Sequence, residues 1–293
     1  MRTSPSCFPC MIRQAVQALE LFSDDERRME YVCREVARHI SSMDLSTPPP
    51  LVAQFTHRVI REVLGCADPY KALKEEANRM ALELLPELEK QVQNSLNPLE
   101  SAIRYAAAGN MFDLSVFRSV SREKILETLE SAMTQKLAGL DVAEFERNLE
   151  NADDILYITD NAGEIVFDRL LLARLNQIAP VTIVVKGSPV VNDATREDAQ
   201  HAGLEVFGRI IDTGTDIPGT VLNQCGEDFQ TKFWEADVVL AKGQANYETL
   251  YPPVRDIFYL FMVKCSAVSR QVGMPLGTMM FFKGVRGQGA EIS

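Results

Sequence analysis

The chain has 293 residues, with 30 Lys plus Arg against 41 Asp plus Glu, and its formal charge of −11 disfavours unaided binding to nucleic acid. Apolar residues make up 46 % and charged residues 24 %, a globular composition that excludes disorder as the main state and any collagenous or low-complexity fold. At about 150 residues per domain, the length predicts roughly two domains or one large one.

The first fourteen residues hold Cys7 and Cys10 and no apolar leader segment, and the six cysteines are scattered along the chain. Both features predict a cytoplasmic protein in a reducing compartment. Cys7-Phe8-Pro9-Cys10 has redox or metal spacing. It lacks the preceding strand of a thioredoxin-like motif and a nearby second pair for a closed zinc site, so a buried structural role stands beside the other two.

From about residue 9 to 151 the periodicity is helical, with no convincing strand and with breaks at Thr47-Pro48-Pro49-Pro50, Asp68-Pro69 and Asn97-Pro98. Leu51, Phe55, Val59 and Val63 recur every four residues and place one apolar stripe on the core side of a helix. Asp68 as N-cap, with Pro69 at the first helical position, predicts a helix opening at 70 and running to 93.

After residue 151 short β-branched runs at 155–159, 181–185, 209–211 and 238–241 alternate with helical segments, which predicts a parallel α/β sheet. The segment 164–178 is long enough for a crossover helix, and a helix ending near Trp234 feeds the strand at 238. The longest wholly apolar run, 257–263, is far too short to span a bilayer, so no membrane partner is expected. The predicted fold is an all-helical domain over 1–151 followed by an α/β domain over 152–293.

In an open parallel sheet, ligands bind beyond the carboxyl ends of the strands. Four strands are followed there by Asp160-Asn161, by Lys186 with Asn192-Asp193, by Asp212, and by Lys242 with Asn246. Two carboxylates and an amide oxygen are hard ligands suited to Mg²⁺ or Mn²⁺, whereas His39, His57 and His201 fit no zinc spacing. Asn161-Ala162-Gly163-Glu164 opens the crossover helix, where free N–H groups favour a phosphate. Lys186 or Lys242 would neutralise its oxygens. Each piece also has a plain structural reading: an Asp-Asn turn, a strand end closed by Gly187 or Gly243, or Asn192-Asp193 capping a helix over 194–200. Four such groups after four strands favour convergence on one site.

Asp160-Asn161-Ala162-Gly163-Glu164-Ile165, Asn192-Asp193-Ala194-Thr195 and Lys242-Gly243-Gln244-Ala245-Asn246-Tyr247-Glu248 resemble the three signatures of the metal-dependent damage-control phosphatases, a domain long catalogued as of unknown function. Cys7-Phe8-Pro9-Cys10, Gly109-Asn110 with Asp113, and Lys264-Cys265 resemble its short prokaryotic branch, and the resemblance covers nearly the whole chain. It implies a helical domain packed on a three-layer α/β domain, with Asp160, Asn161 and Asp193 holding Mn²⁺, Mg²⁺, Co²⁺ or Ni²⁺. It further implies hydrolysis of a small phosphorylated metabolite by metal-activated water. Asp160, Asn161, Asp193 and Lys242 are then assigned to catalysis, and Gly163, Glu164, Lys186, Asn192, Gly243, Asn246 and Asn110 to substrate binding.

Three other readings stay open. An aspartyl-phosphate mechanism wants a second Asp two residues after the first, where Ala162 stands, so direct attack by water is favoured. A carboxyl methyltransferase wants a glycine-rich turn after its first strand, where only Gly163 is found. A non-enzymatic metal- or redox-responsive binding protein would use the cysteines.

Overall fold

The computed structural model describes residues 1–110, 122–135, 137–139 and 142–287. The first three helices, α1 (Phe8–Glu20), α2 (Glu26–Ser42) and α3 (Pro49–Leu64), form a small bundle with its own core of Met11, Leu19, Val32, Val36, Val52 and Ile60. Their ends follow from local chemistry. The Asp25 carboxylate accepts from Arg27 N at 2.9 Å to cap α2, and Gly65 closes α3 in the left-handed region at φ 62°. Phe55 and Val63 of the predicted stripe pack against this core and Val59 lies within it.

Helix α4 (Lys71–Gln93) starts after Tyr70, and Asp68 caps the preceding turn by accepting from Tyr70 N at 3.1 Å. Then come α5 (Pro98–Gly109), α6 (Arg122–Thr134), β1 (Leu137–Gly139) and α7 (Val142–Leu149). The reading of no strand before residue 151 is therefore corrected by β1, which pairs with the last strand of the chain. Three residues are too few to give a period-2 signal.

The remaining elements alternate: β2 (Ile155–Ile158), α8 (Glu164–Leu175), β3 (Val181–Val185), α9 (Arg196–His201), β4 (Arg209–Asp212), α10 (Glu227–Glu235), β5 (Val238–Lys242), α11 (Gln244–Leu250), β6 (Ile257–Met262), α12 (Ser266–Val272) and β7 (Met279–Gly284). They build a seven-stranded sheet in the order β1-β7-β6-β5-β2-β3-β4. Neighbours from β6 to β4 are parallel, while β7 runs antiparallel to β6. The continuous apolar run over 257–263 is thus a central strand, buried on both faces.

Helices cover both faces of the sheet. On one side α4, α5, α6 and α8 share a core with Ile155, Tyr157, Ile183 and Leu240. On the other, Phe229 and Phe233 of α10, Tyr247 of α11 and Val268 of α12 pack on Leu156, Ile158, Val184 and Val239. Helix α8 is buried almost all round. Helix α5 lies tightly on it through a run of small residues: a Cβ on Gly109 would stand 3.0 Å from Phe167 Cδ2 and 3.2 Å from Glu164 Cγ. From β2 the chain proceeds outward to β3 and β4, then returns to β5 on the other side of β2, which opens a crevice at the carboxyl ends of β2 and β5.

Candidate active site

Asp160 and Asn161 follow β2 into this crevice, and the segment carrying Asn192 and Asp193 lies alongside. Ala162 N donates to Asn192 O at 2.9 Å and Ala194 N to Asp160 O at 2.8 Å, so backbone pairing sets Asn161 opposite Asp193. The turn before them is strained. Val191 has φ 45°, a conformation costly for a β-branched residue and of a kind that collects at functional sites.

Gly243, after β5, supports Asp160 from below. It has φ 83°, and a Cβ there would fall 2.0 Å from Asp160 Cγ. Only a residue without a side chain lets the carboxylate occupy this position. Two amides then fix its orientation: Asn110 Nδ2 and Asn161 Nδ2 each donate to Asp160 Oδ2 at 2.7 Å. The same nitrogens donate to Glu164 Oε2 at 2.8 and 3.0 Å, and Met262 N donates to Asn110 Oδ1 at 3.2 Å. Asn110 is fully buried and acts as a positioning residue. Asp113, paired with it in the sequence signature, lies outside the described residues.

Lys242 is where expectation and structure part. Its side chain is completely buried, and Nζ lies 2.9 Å from Glu164 Oε1 and in contact with Asp168 Oδ1. It bridges two carboxylates one turn apart on α8 and does not line the cavity described below. The reading of Lys242 as a direct phosphate ligand is corrected accordingly. An ammonium buried between two carboxylates has spent its charge on them. Burial opposes charge on Glu164, yet Lys242 holds its carboxyl below the ordinary range; burial opposes charge on Lys242, yet Asp168 and Glu164 raise its pKa.

The start of α8, read as a phosphate cradle, is likewise engaged by the protein itself. Gly163 N donates to Asn78 Oδ1 at 2.6 Å, Ile165 N to Asn161 O and Val166 N to Gly163 O. Asn78 in turn donates to Asp198, which also pairs with Lys74 and caps α9 through Thr195. The cap of α9 is therefore Thr195 with Asp198, leaving Asp193 free of that task. Asn246 is structural too: it donates to Thr159 O and Lys242 O and accepts from Thr220. Lys186 donates to Gly219 O and stands 3.6 Å from Asp193 Oδ2. Asp212 is not brought in, since it pairs with Arg196 at 3.1 Å on an exposed edge.

Above the crevice lies a cavity of about 650 Å³ whose floor includes Asp160, Asn161, Asn192 and Asp193. Its other lining comes from α1, α3 and the α11 and α12 region, including Arg13, His57, Glu248 and Lys264. Asp168, Asn78, Asp198 and Val191 belong to no motif of the sequence. One signal for the first is that Glu164 and Asp168 stand four apart in the mainly apolar first half of a helix. Lys264, part of a sequence signature, is an exposed cation on this cavity, as is Arg13.

The floor is electrostatically incomplete. Burial, Glu164 and Asp193 together push the Asp160 carboxyl well above its ordinary pKa, and burial pushes Asp193 up to about 6 against the pull of Lys186. Asp193 Oδ2 is buried with no hydrogen-bond partner. Among the described residues no three His, Cys, Asp or Glu side chains already enclose a metal, but two carboxylates and an amide oxygen form a hard donor set. A buried carboxylate oxygen with no hydrogen bond, opposed only by Lys186 at 3.6 Å and close to a second carboxylate, fits a divalent cation.

Residues 3–280 match the family model described as the damage-control phosphatase ARMT1-like domain. The chain is 33 % identical to a protein of Pyrococcus horikoshii named damage-control phosphatase, over 96 % of this chain and 97 % of that one. It is 32 % identical to one of the same name from Archaeoglobus fulgidus, over 96 % and 98 %, and 34 % identical to an uncharacterised protein of Methanocaldococcus jannaschii, over 97 % and 96 %. The crystal structure of a DUF89 family protein from Pyrococcus horikoshii superposes with a TM-score of 0.89 at 32 % identity, covering 97 % of this chain and 99 % of that one.

Proposed function

Because the chain belongs to the damage-control phosphatase ARMT1-like family, we propose that it is a phosphatase whose substrate is a small phosphorylated metabolite, a phosphate monoester. The cation would be Mg²⁺, Mn²⁺, Co²⁺ or Ni²⁺, held by Asp160, Asn161 and Asp193. The observation that carries this reading is the pair of buried carboxylates, Asp160 and Asp193, on the cavity floor, with Asp193 Oδ2 making no hydrogen bond and only a 3.6 Å ion pair to Lys186. A hard divalent cation there supplies charge for the phosphoryl oxygens and lowers the pKa of water in its coordination sphere.

The chain's own groups do the rest. Asn110 and Asn161 hold Asp160 Oδ2 in one orientation, so the carboxylate is pre-set as a ligand and is poorly placed to attack phosphorus. Lys242 pairs with Glu164 and Asp168 beneath the floor, which offsets part of the negative charge there and lessens repulsion of an anionic substrate. Lys264 and Arg13, both exposed on the cavity lining, are the cations available to a phosphate oxygen, the role first read for Lys186 or Lys242. A direct attack by water leaves no phosphoenzyme.

A screen of phosphorylated metabolites with the four cations tests the proposal. Hydrolysis that needs added metal, with kcat/KM at subsaturating metal reduced about 100-fold or more in Asp193→Ala, is the expected result. Full activity in Asp193→Ala, or a phosphorylated Asp160 formed at a competent rate in rapid quench, overturns it.

A further inference from the structure

The signature that begins at Lys242 ends on Glu248, a carboxylate used neither by the floor nor by the network beneath it. Glu248 lies on α11, lines the cavity and is only 6 % exposed. Its Oε1 accepts from Gln244 Nε2 at 2.7 Å. Its Oε2 makes no hydrogen bond among the described residues and is not sealed from the cavity.

Gln244 sets where this carboxylate stands relative to the floor. It directly follows Gly243, the glycine on which Asp160 rests, and its side-chain oxygen accepts from Lys264 N at 2.8 Å. A backbone N–H can only donate, so this bond fixes which end of the amide is oxygen and turns the nitrogen towards Glu248. One amide thus spans from the backbone of Lys264 to the carboxylate, starting from the residue next to the support of Asp160. Because Gln244 occupies Oε1 as an acceptor, a proton on this carboxyl belongs on Oε2, the oxygen that opens on the cavity.

Burial raises the Glu248 pKa to about 7, against the Gln244 hydrogen bond and the amino group of Met1. That amino group donates to the backbone oxygens of Glu248 and Tyr251. The other titratable groups facing the carboxylate are the Cys7 and Cys10 thiols of the helical side and the Tyr247 phenol of α11, all three raised by burial and so uncharged near neutral pH. A carboxyl in such a setting keeps its proton into the neutral range.

We propose that Glu248 is the general acid of the phosphatase reaction and that it serves phosphate monoesters of alcohols, whose oxygen leaves poorly without a proton. The inference rests on the phosphatase reading above. The oxygen of water bonds to phosphorus and one water proton passes to solvent. The bond from phosphorus to the ester oxygen breaks, its electron pair stays on that oxygen, and the Oε2 proton moves to it. The alcohol departs and the carboxylate takes a proton back from solvent. A leaving group that is stable as an anion has little need of this acid.

Glycerol 2-phosphate and p-nitrophenyl phosphate separate the two cases, assayed on the full chain with Mn²⁺ in excess. Glu248→Gln keeps the size of the side chain and an acceptor for Gln244, and it should lower kcat on the glycerol ester about 100-fold more than on the nitrophenyl ester, with circular dichroism unchanged. In the unsubstituted protein the ratio of the two kcat values, glycerol over nitrophenyl, should fall as the pH rises through about 7. Titration of the floor acts on both esters and cancels in that ratio, which also needs no variant to fold. Equal loss on the two esters, loss on neither, a ratio independent of pH, or hydrolysis of the nitrophenyl ester alone by the unsubstituted protein overturns the proposal. Hydrolysis of neither ester and of no metabolite in the screen instead defeats the phosphatase reading, and this proposal with it.

Discussion

On the sheet side of the cavity, Asp160, Glu164, Asn110 and Asn161 sit in a closed hydrogen-bond network, with Gly243 pressed beneath the carboxylate. On the helical side, Cys7, Cys10 and His57 come from a bundle with a separate core, and the thiols are half-buried. The first wall has its geometry fixed by buried polar groups that satisfy one another. The second is held to the sheet by a few tethers, chief among them Asp216, which binds Gln54, Arg58 and Arg61 of α3.

The strongest way to break this contrast is Lys242→Ala, which strands Glu164 and Asp168 as uncompensated buried charges. A loss of about 3–5 kcal/mol in unfolding free energy is expected, measured by urea denaturation, with partial recovery in the double variant that adds Asp168→Asn. A Lys242→Ala protein of normal stability would show that the network does not bear on the fold.

On the helical side the largest effect should come from pH. His57 packs on Tyr70 with ring centroids 5.6 Å apart, and burial followed by the charge of Arg61 lowers its pKa from 6.5 to about 4. The unfolded chain therefore binds a proton in a window where the folded chain does not. Stability from the neutral ring is complete above pH 6.5 and falls as the pH drops towards 4, by up to about 3 kcal/mol. His57→Gln should flatten that limb of a plot of Tm against pH, and an unchanged limb refutes the assignment.

Gly243→Ala sharpens the comparison at the level of rate. The new methyl displaces the Asp160 carboxylate, and a shift near 1 Å at a reacting centre costs about 100-fold, read as kcat with metal in excess. Activity at the level of the unsubstituted protein would mean that Asp160 is not required where it stands. The smallest effect belongs to the other wall: Cys10→Ser should change stability by less than about 0.5 kcal/mol, and a larger loss on thermal unfolding would mark that residue as part of a fixed core.

Much of this arrangement was legible in the chain. The strands β2, β3, β4 and β5 announce themselves as β-branched runs, and polar residues directly after them fall at strand ends, where topology alone gathers Asp160 and Asp193. What the residues did not reveal was direction. Lys242 and Asn246 follow the same strand as Gly243, but whether a side chain points into a cavity or under its floor depends on the partner across the sheet, here Glu164 and Asp168 of α8. The network of Lys74, Asn78 and Asp198 joins residues more than a hundred positions apart, and no local pattern marks such pairs. The strand β1 is too short for periodicity to register.

The tight seating of α5 on α8 makes side-chain size at one position a gauge for the whole site. Gly109 carries no functional group, yet the carbon it lacks would meet Phe167 at 3.0 Å and Glu164 at 3.2 Å, and the next residue is the Asn110 whose amide holds two carboxylates. Adding a single methyl at 109 wedges the two helices apart by tenths of an ångström and carries that amide with it. The position of the Asn110 amide is thus set by an interhelical spacing, which a residue without a side chain holds.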